Sequence, residues 1–315
     1  LSYEEIAQRG GGILNSAEKL QNTSEDQLYN ISIERLNNLI KMGTGAIEIK
    51  SGYGLTLDAE LKILRVIKRL KENSEITIKA TFLAAHALPK EFKDNKDGYM
   101  DLVINEMLPI VAKENLANYV DIFCEKGYFS VEDTTRLLKA AKKYGIQSKT
   151  HVNQFNSIGG VEASVKLGAL SVDHLEEMKE EDFISLENSE CMPTILPSCS
   201  FFLGIPYGPA TKMIERRLPV ALATDYNPGS SPSGNMNLVA SLGCTQMKMT
   251  PEQVINATTI NTAYAMGVEK ELGSICVGKK ANLFITKEIP SYSYLSYSFG
   301  ENLINKVIIN GKITA

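Results

Sequence analysis

The chain has 315 residues, of which 43% are hydrophobic and 22% are charged, a composition typical of a globular protein with one large domain or two smaller ones. A formal net charge of −4, with no cluster of Lys and Arg interleaved with aromatic residues, argues against nucleic acid as a partner. No apolar stretch approaches the roughly 20 residues that a bilayer span needs, and the first residues do not resemble a signal peptide, so we expect no membrane association.

The first 44 residues predict helices and turns. Short apolar runs of strand length then recur, and longer stretches with the helical period separate them, as in 57–73 and 130–145. There are seven such runs: GAIEIKSG from 45, TIKATFLAAHALP from 77, YVDIFCEKG from 119, IQSKTHVNQ from 146, ALSVDHLE from 169, CMPTILPS from 191 and LPVALATD from 218. This alternation predicts an α/β fold with a parallel sheet, which is either an open doubly wound sheet or a (β/α)₈ barrel.

Polar residues at the strand ends favour the barrel. Nearly every predicted strand delivers one at or just beyond its C-terminal end: Tyr53, His86, Glu125, His151, His174, Ser198 and Asp225. In an open sheet ligand-binding residues gather at one switch point, whereas in a barrel all C-terminal strand ends converge on one mouth. The sequence therefore predicts a TIM-type barrel.

Such a barrel has eight strands, and the sequence shows seven. If the barrel prediction is correct, we expect the first strand to lie upstream of residue 1. Residues 1–268 would then supply strands two to eight. Residues 269–315 contain short strands with Gly-Lys turns, which predict part of a small β-sandwich-like domain.

The three histidines of the chain, His86, His151 and His174, all follow predicted strands. One histidine at a strand end is more often structural than a ligand, but three on the same mouth, with Asp225, point to a metal site. Imidazole and carboxylate are ligands for zinc or ferrous iron, and a catalytic site leaves one position for water. We expect His151 and Asp225 to bind the metal.

Six strings resemble the imidazolonepropionase family of the amidohydrolase superfamily: KSGYGL (50–55), FLAAHALP (82–89), HVNQF (151–155), VDHLE (172–176), LPSCSFFLG (196–204) and ATDYNPGS (223–230). The resemblance runs from residue 1 to the C-terminus. It implies a (β/α)₈ barrel that uses one bound zinc or iron ion to hydrolyse 4-imidazolone-5-propanoate to N-formimidoyl-L-glutamate, a step of histidine degradation.

The resemblance also implies roles for individual residues. His151 and Asp225 match metal ligands, and His174 matches a histidine near the reacting water and the substrate carbonyl. The residues that match substrate contacts are Tyr53, His86, Gln154, Asn227, Gly229 and Ser230. The family takes two further metal ligands from a His-x-His motif on its first strand, followed by an Arg for the substrate carboxylate, and these 315 residues contain neither. We expect that motif in the same upstream segment as the first strand.

These roles predict a mechanism. A bound metal lowers the pKa of its water toward about 7, and Asp225 would accept the proton and deliver it to the leaving ring nitrogen. His174 would stabilise the developing oxyanion. The Gly- and Ser-rich loop after Asp225 would let backbone N–H groups approach the substrate.

Several alternatives remain open. The chain could be another amidohydrolase, such as a purine or pyrimidine aminohydrolase, or a catalytically inactive fragment. Lys50 is better explained by a buried ion pair with Glu48 or Glu125 than by a carboxylated metal-bridging lysine. Cys199 has no adjacent base in the sequence and is a poor candidate for a nucleophile. Five scattered cysteines without a CxxC pair favour a reducing cytoplasm, and the resemblance suggests a homodimer.

Overall fold

The computed structural model describes residues 13–314, so the predicted helical segment at 1–12 lies outside the described residues. Seven strands form one sheet in the order β1-β2-β3-β4-β5-β6-β7. They are β1 (Ala46–Lys50), β2 (Thr77–Ala85), β3 (Tyr119–Cys124), β4 (Gln147–Val152), β5 (Ser171–His174), β6 (Met192–Ile195) and β7 (Ala221–Leu222). A doubly wound sheet would reverse its strand order at a switch point, whereas this order follows the chain, as in a barrel.

Each of the seven predicted apolar runs contains one of these strands, so the predicted count is confirmed. The strands are shorter than the apolar runs. The run at 218–225 contributes only Ala221–Leu222 to the sheet. The chain leaves the sheet after Leu222, and Asp225 has a left-handed φ of 52°, which is incompatible with a strand.

Helices precede, separate and follow the strands of this sheet. They span Ile13–Gln21, Glu25–Lys41, Leu57–Glu72, Lys96–Leu102, Leu108–Lys113, Val131–Lys143, Gly160–Lys166, Glu180–Glu187, Pro197–Leu203, Ala210–Glu215, Met236–Thr245, Pro251–Thr258, Ile260–Ala265 and Tyr294–Tyr297, with a 3₁₀ turn at Lys90–Phe92 and a π-helical turn at Val103–Met107. Residues 251–266, whose apolar residues recur with the helical period, form two helices that break at Thr259 (φ −126°, ψ −87°). No helix among residues 13–314 is long and apolar enough to cross a membrane.

Residues at both ends of helix Val131–Lys143 show how local sequence determines where a helix begins and ends. Ser130 accepts a hydrogen bond from the backbone N–H of Asp133, whose carboxylate in turn accepts from the N–H of Ser130, forming a capping box. The helix ends before Gly145, which has a left-handed φ of 70°. The helix predicted from the helical period of 130–145 is thus confirmed, with a Ser cap at its start and a Gly after its end.

The chain divides into two compact units. The first contains the residues up to Ile33, Glu48–Ser74 and Ile78–Val172, and the second contains Glu34–Ile47, Glu75–Thr77 and the residues from Asp173 onward. In the first unit β3 is buried along its whole length. In the second, β8 (Leu283–Thr286), β9 (Ile304–Ile309) and β10 (Lys312–Ile313) form an antiparallel sheet in the order β10-β9-β8. The small C-terminal sheet is confirmed, and the domain boundary at 268/269 stays a prediction.

Candidate active site

The first unit brings three predicted site residues together: Tyr53, His86 and His151. The ring centroid of His86 lies 5.2 Å from that of Tyr53, edge to face, and 6.2 Å from that of His151. Phe123 stands beside both histidines, at 6.2 Å from His86 and 6.4 Å from His151, because β3 and β4 place Phe123 opposite His151 in register. Aromatic and imidazole rings therefore wall one small region at the ends of neighbouring strands.

The backbone holds these rings in place. The Nδ1 atom of His86 lies 3.1 Å from the carbonyl oxygen of Gly52, next to Tyr53 in the chain. Gln154, which follows β4, is buried in a loop anchored by Glu125. One carboxylate oxygen of Glu125 accepts hydrogen bonds from the backbone N–H groups of Phe155 (2.9 Å) and Asn156 (3.2 Å). Glu125, a strand-end residue in the sequence, thus fixes the loop that carries Gln154.

A buried charge network lies behind His151. Its Nδ1 is 3.0 Å from an oxygen of Asp121, a side chain that is 0% exposed. The Nζ of Lys50 lies 2.8 Å from Asp121 and 2.8 Å from Glu48, and Lys149 also pairs with Glu48. The predicted ion pair of Lys50 with Glu48 is confirmed, and the structure adds Asp121 as a second partner.

Electrostatics keep these acids ionised. Burial alone would raise the pKa of Asp121, but the neighbouring His151 and Lys50 hold it well below its usual range. Burial would likewise raise the pKa of Glu48, but the charges of Lys149 and Lys50 lower it to about 2. Sequence reasoning missed Asp121 and Lys149. For Asp121 the available signal was a single charged residue inside the otherwise apolar strand YVDIFC, whereas the strand that carries Lys149, QSKTHV, is mostly polar and gave no such signal.

His151 fits a metal-ligand role. Histidines that bind metals usually donate their second ring N–H to a carboxylate or a carbonyl, which fixes the tautomer and the orientation of the ring. Asp121 is placed to accept from Nδ1, and in that tautomer the lone pair for a metal is on Nε2.

The second unit holds the other predicted residues: His174, Asp225, Asn227, Gly229 and Ser230. One carboxylate oxygen of Asp225 accepts a hydrogen bond from the hydroxyl of Ser230 at 3.0 Å. The amide of Asn227 donates to the backbone carbonyl of Asp225, and its oxygen accepts from the N–H groups of Gly229 and Ser230, each at 2.8 Å. These contacts fold the loop into a cradle around the Asp225 carboxylate.

This differs from the expected use of the loop. We expected backbone N–H groups there to approach the substrate, but those of Gly229 and Ser230 are directed at Asn227. Asn227 therefore shapes the loop. The loop group that contacts the Asp225 carboxylate is a side chain, the Ser230 hydroxyl.

His174 is buried next to Glu176 and Cys199. Its Nδ1 lies 3.5 Å from one oxygen of Glu176, whose other oxygen accepts from Ser200 at 3.1 Å. Burial lowers the pKa of His174, but Glu176 and Cys199 outweigh that effect and raise it well above its usual range. Burial raises the pKa of the Cys199 thiol, so a neutral thiol is expected, in line with its rejection as a nucleophile.

Left-handed backbone conformations mark the same strand ends. Among non-glycine residues, φ is 58° at Asn153, 91° at His174, 68° at Leu175 and 52° at Asp225. Such conformations cost roughly 1–3 kcal/mol each and cluster at functional sites. Leu175 is the clearest case, because Asn, Asp and His adopt positive φ more often than other non-glycine residues.

Two places in the structure offer side chains of the types that bind divalent cations. His151 presents an imidazole oriented by Asp121, and His174, Glu176 and Cys199 have potential ligand atoms within 4.8 Å of one another. Imidazole and carboxylate are ligands for divalent metals such as zinc, so these residue types suit a divalent ion.

Comparisons with known proteins agree with this picture. The amidohydrolase family profile matches residues 47–314. The chain is 64% identical to the imidazolonepropionase of Christiangramia forsetii over 313 residues, covering 99% of this chain and 76% of that protein, and 61% identical to that of Flavobacterium johnsoniae over 312 residues with the same coverage.

Solved structures show the same fold at low identity. A zinc-bound adenosine deaminase from Xanthomonas campestris superposes with a TM-score of 0.76 at 14% identity, covering 99% of this chain and 74% of that one. Guanine deaminase from E. coli gives a TM-score of 0.74 at 11% identity, covering 94% and 76%. These structures show the fold alone, whereas the family profile and the sequence relatives show that the chain belongs to the amidohydrolase family, among the imidazolonepropionases.

Proposed function

We propose that this protein hydrolyses the ring amide of 4-imidazolone-5-propanoate to N-formimidoyl-L-glutamate. The observation that carries the proposal is the 59–64% identity, over 99% of the chain, to three proteins named imidazolonepropionase. The side chains at the strand ends supply the groups that this reaction needs: a carboxylate, an imidazole with a raised pKa and a wall of rings.

We propose that His151 and Asp225 take part in holding one divalent ion, zinc or iron. When bound, such an ion supplies Lewis acidity and makes water nucleophilic near neutral pH. The support from this chain is the Asp121 carboxylate beside Nδ1 of His151 and the fixed orientation of Asp225.

Asp225 is the proposed proton carrier. Its carboxylate would accept the proton of the attacking water and deliver it to the ring nitrogen as the C–N bond breaks. The hydroxyl of Ser230 donates to one carboxylate oxygen, which holds the group in one orientation and leaves the other oxygen for proton transfer.

His174 would stabilise the oxyanion that develops on the ring carbonyl. The role requires a hydrogen-bond donor, and Glu176 favours the protonated imidazole by raising the pKa of His174. Because Glu176 is itself held by Ser200, the donor is fixed before substrate arrives.

Substrate recognition is assigned to Tyr53, His86, Gln154, Asn227, Gly229 and Ser230. Tyr53 and His86 offer ring faces and polar atoms to a flat heterocycle. Gln154 would contact the imidazolone ring, and the loop from Asn227 to Ser230 would close around the substrate, with Asn227 acting through the shape of the loop.

We also propose a homodimer, the commonest symmetric assembly, and a cytoplasmic location. No disulfide joins the five cysteines, all of which lie within the described residues, as expected for a protein from a reducing compartment. Light scattering of the purified protein would give the mass of the assembly directly.

Product analysis tests the proposed reaction. The full-length protein, loaded with zinc or iron, is incubated with 4-imidazolone-5-propanoate, and the product is identified by mass spectrometry and NMR. N-formimidoyl-L-glutamate is the expected product. Release of ammonia from a purine or pyrimidine, without turnover of the imidazolone, would instead identify an aminohydrolase, and turnover of neither would indicate an inactive chain.

A further inference from the structure

The loop between β1 and helix Leu57–Glu72 is fastened by one buried side chain, Glu60. Its carboxylate is 0% exposed and accepts hydrogen bonds from the backbone N–H groups of Gly52 (3.0 Å), Gly54 (2.7 Å) and Leu55 (2.9 Å). Three backbone donors of a five-residue loop therefore converge on one carboxylate, and we refer to residues 51–55 as the anchored loop.

The anchored loop has a backbone that needs such support. Gly52 has a φ of +103°, and a Cβ there would lie 2.7 Å from the carbonyl oxygen of Leu83. Leu55 is left-handed at φ 59°, a conformation that is unfavourable for a non-glycine residue. The charge-assisted bond from the Leu55 N–H to Glu60 offsets that cost.

The same loop carries the proposed substrate contacts. Tyr53 lies at its centre and meets the edge of His86 at 5.2 Å, and the carbonyl of Gly52 lies 3.1 Å from Nδ1 of His86. A shift of the loop would therefore move the Tyr53 ring and release one restraint on the His86 ring.

The carboxylate and the loop depend on each other. Burial raises the pKa of Glu60 above its ordinary value, and the hydrogen bonds from Ser51, Leu55, Gly54 and Gly52 limit that rise. The backbone donors of the anchored loop therefore stabilise the ionised carboxylate that fastens them.

We propose that Glu60 is a positioning residue for substrate binding, which holds the anchored loop so that Tyr53 and His86 face a small, flat, polar heterocycle. Glu60 touches the loop and not the reacting atoms, so it acts on affinity through Tyr53 and His86. The inference rests on the proposed function for the identity of the heterocycle, but the fastening of the loop is a property of the protein alone.

Glu60→Gln tests the proposal, because the amide keeps the volume but replaces one acceptor oxygen by an N–H₂ group that cannot accept from Gly52. We expect KM to rise roughly tenfold with kcat changed less than about twofold, the pattern of lost substrate binding. The matched control is Glu72→Gln, an exposed glutamate at the end of the same helix, which should leave both constants unchanged.

The same substitution in a Tyr53→Ala variant distinguishes a positioning role of Glu60 from a general loss of structure. In Tyr53→Ala protein, Glu60→Gln should raise KM by a clearly smaller factor than in the wild type, because one of the two contacts through which Glu60 acts is already gone. An equal factor in both backgrounds would overturn the proposal. If Glu60→Gln does not fold, Glu60→Asp retains the charge, retracts the carboxylate by one methylene and should change KM in the same direction.

Amide hydrogen exchange provides a readout that needs no substrate. In Glu60→Gln the N–H groups of Gly52, Gly54 and Leu55 should exchange roughly tenfold faster or more, since they lose a charged acceptor. Unchanged exchange would overturn the fastening itself. If wild-type protein fails to turn over the imidazolone, the proposed function fails, and exchange alone decides whether Glu60 anchors the loop.

Discussion

The role proposed for Asp225 depends on its immediate neighbours. A left-handed backbone turns the chain out of β7, Asn227 folds the following loop, and Ser230 donates to the carboxylate at 3.0 Å. A carboxylate held in one orientation can transfer a proton without first losing rotational freedom, which is the benefit of preorganisation.

Replacing Asp225 with Asn should therefore leave the fold intact and remove most turnover. The amide fills the same volume and can still accept from Ser230, but it cannot take a proton from water. Loss of such a base typically lowers kcat by about 10² to 10⁴. Stopped-assay kinetics with metal analysis would measure this, with the exposed Asp94→Asn as the control; near wild-type kcat with bound metal would disprove the role.

His174 gives a pH-dependent prediction. Glu176 and Cys199 raise the pKa of His174, so the donor stays protonated to higher pH than an ordinary histidine. Glu176→Gln removes the main raising effect and should move the alkaline limb of the kcat profile to lower pH, with less activity loss on the acidic side. The adjacent exposed Glu177→Gln serves as the control, and identical profiles for both variants would show that His174 does not act as the protonated donor.

The charge network of Glu48, Lys50, Asp121 and Lys149 links strands β1, β3 and β4. Lys149 has only 3% of its side chain exposed, whereas Lys166, which pairs with Glu162 on a surface helix, has 70% exposed. Breaking a buried pair leaves an uncompensated charge, so Lys149→Met should lower the free energy of unfolding by roughly 3–5 kcal/mol. Lys166→Met should cost less than about 1 kcal/mol.

The cost of Lys149→Met should depend on pH. Because the pKa of Glu48 is lowered from 4.5 to about 2, its contribution is fully present above pH 4.5 and is lost as pH falls through about 2. The penalty measured by urea unfolding should shrink across that window. A penalty that stays constant down to pH 2 would mean that Lys149 stabilises by packing, for example against the Tyr119 ring, and not by its charge.

The helices and strands could be predicted from the sequence better than the contacts between residues far apart in the chain. Apolar runs and caps act locally, so the seven strands and helix Val131–Lys143 could be predicted from neighbouring residues. The pairing of Asp121 with Lys50 joins residues 71 positions apart, and it depends on strand register, which no local pattern contains. The role of Glu60 was missed because the sequence shows a helical glutamate but not the turn of the loop toward it.

At the scale of the whole molecule, the strand order of the large sheet supports the fold prediction, because it follows the chain from β1 to β7. The last three strands form a separate antiparallel sheet. The candidate site was predictable to the extent that functional side chains follow strands. The end of each predicted strand indicated which polar residue to consider as a candidate site residue. The substrate was not predictable from these patterns alone, because the same fold occurs in deaminases at 11–14% identity.

Metal-dependent hydrolysis of the imidazolone is the central claim. The most direct measurement is the rate of 4-imidazolone-5-propanoate consumption by the full-length protein as purified, after chelation, and after return of about one equivalent of zinc or iron. We expect the rate to fall at least about 100-fold on chelation and to recover with the metal, because water at neutral pH is a poor nucleophile without it. Full activity in protein shown by elemental analysis to contain no metal, or no consumption by the metal-loaded protein, would contradict the account.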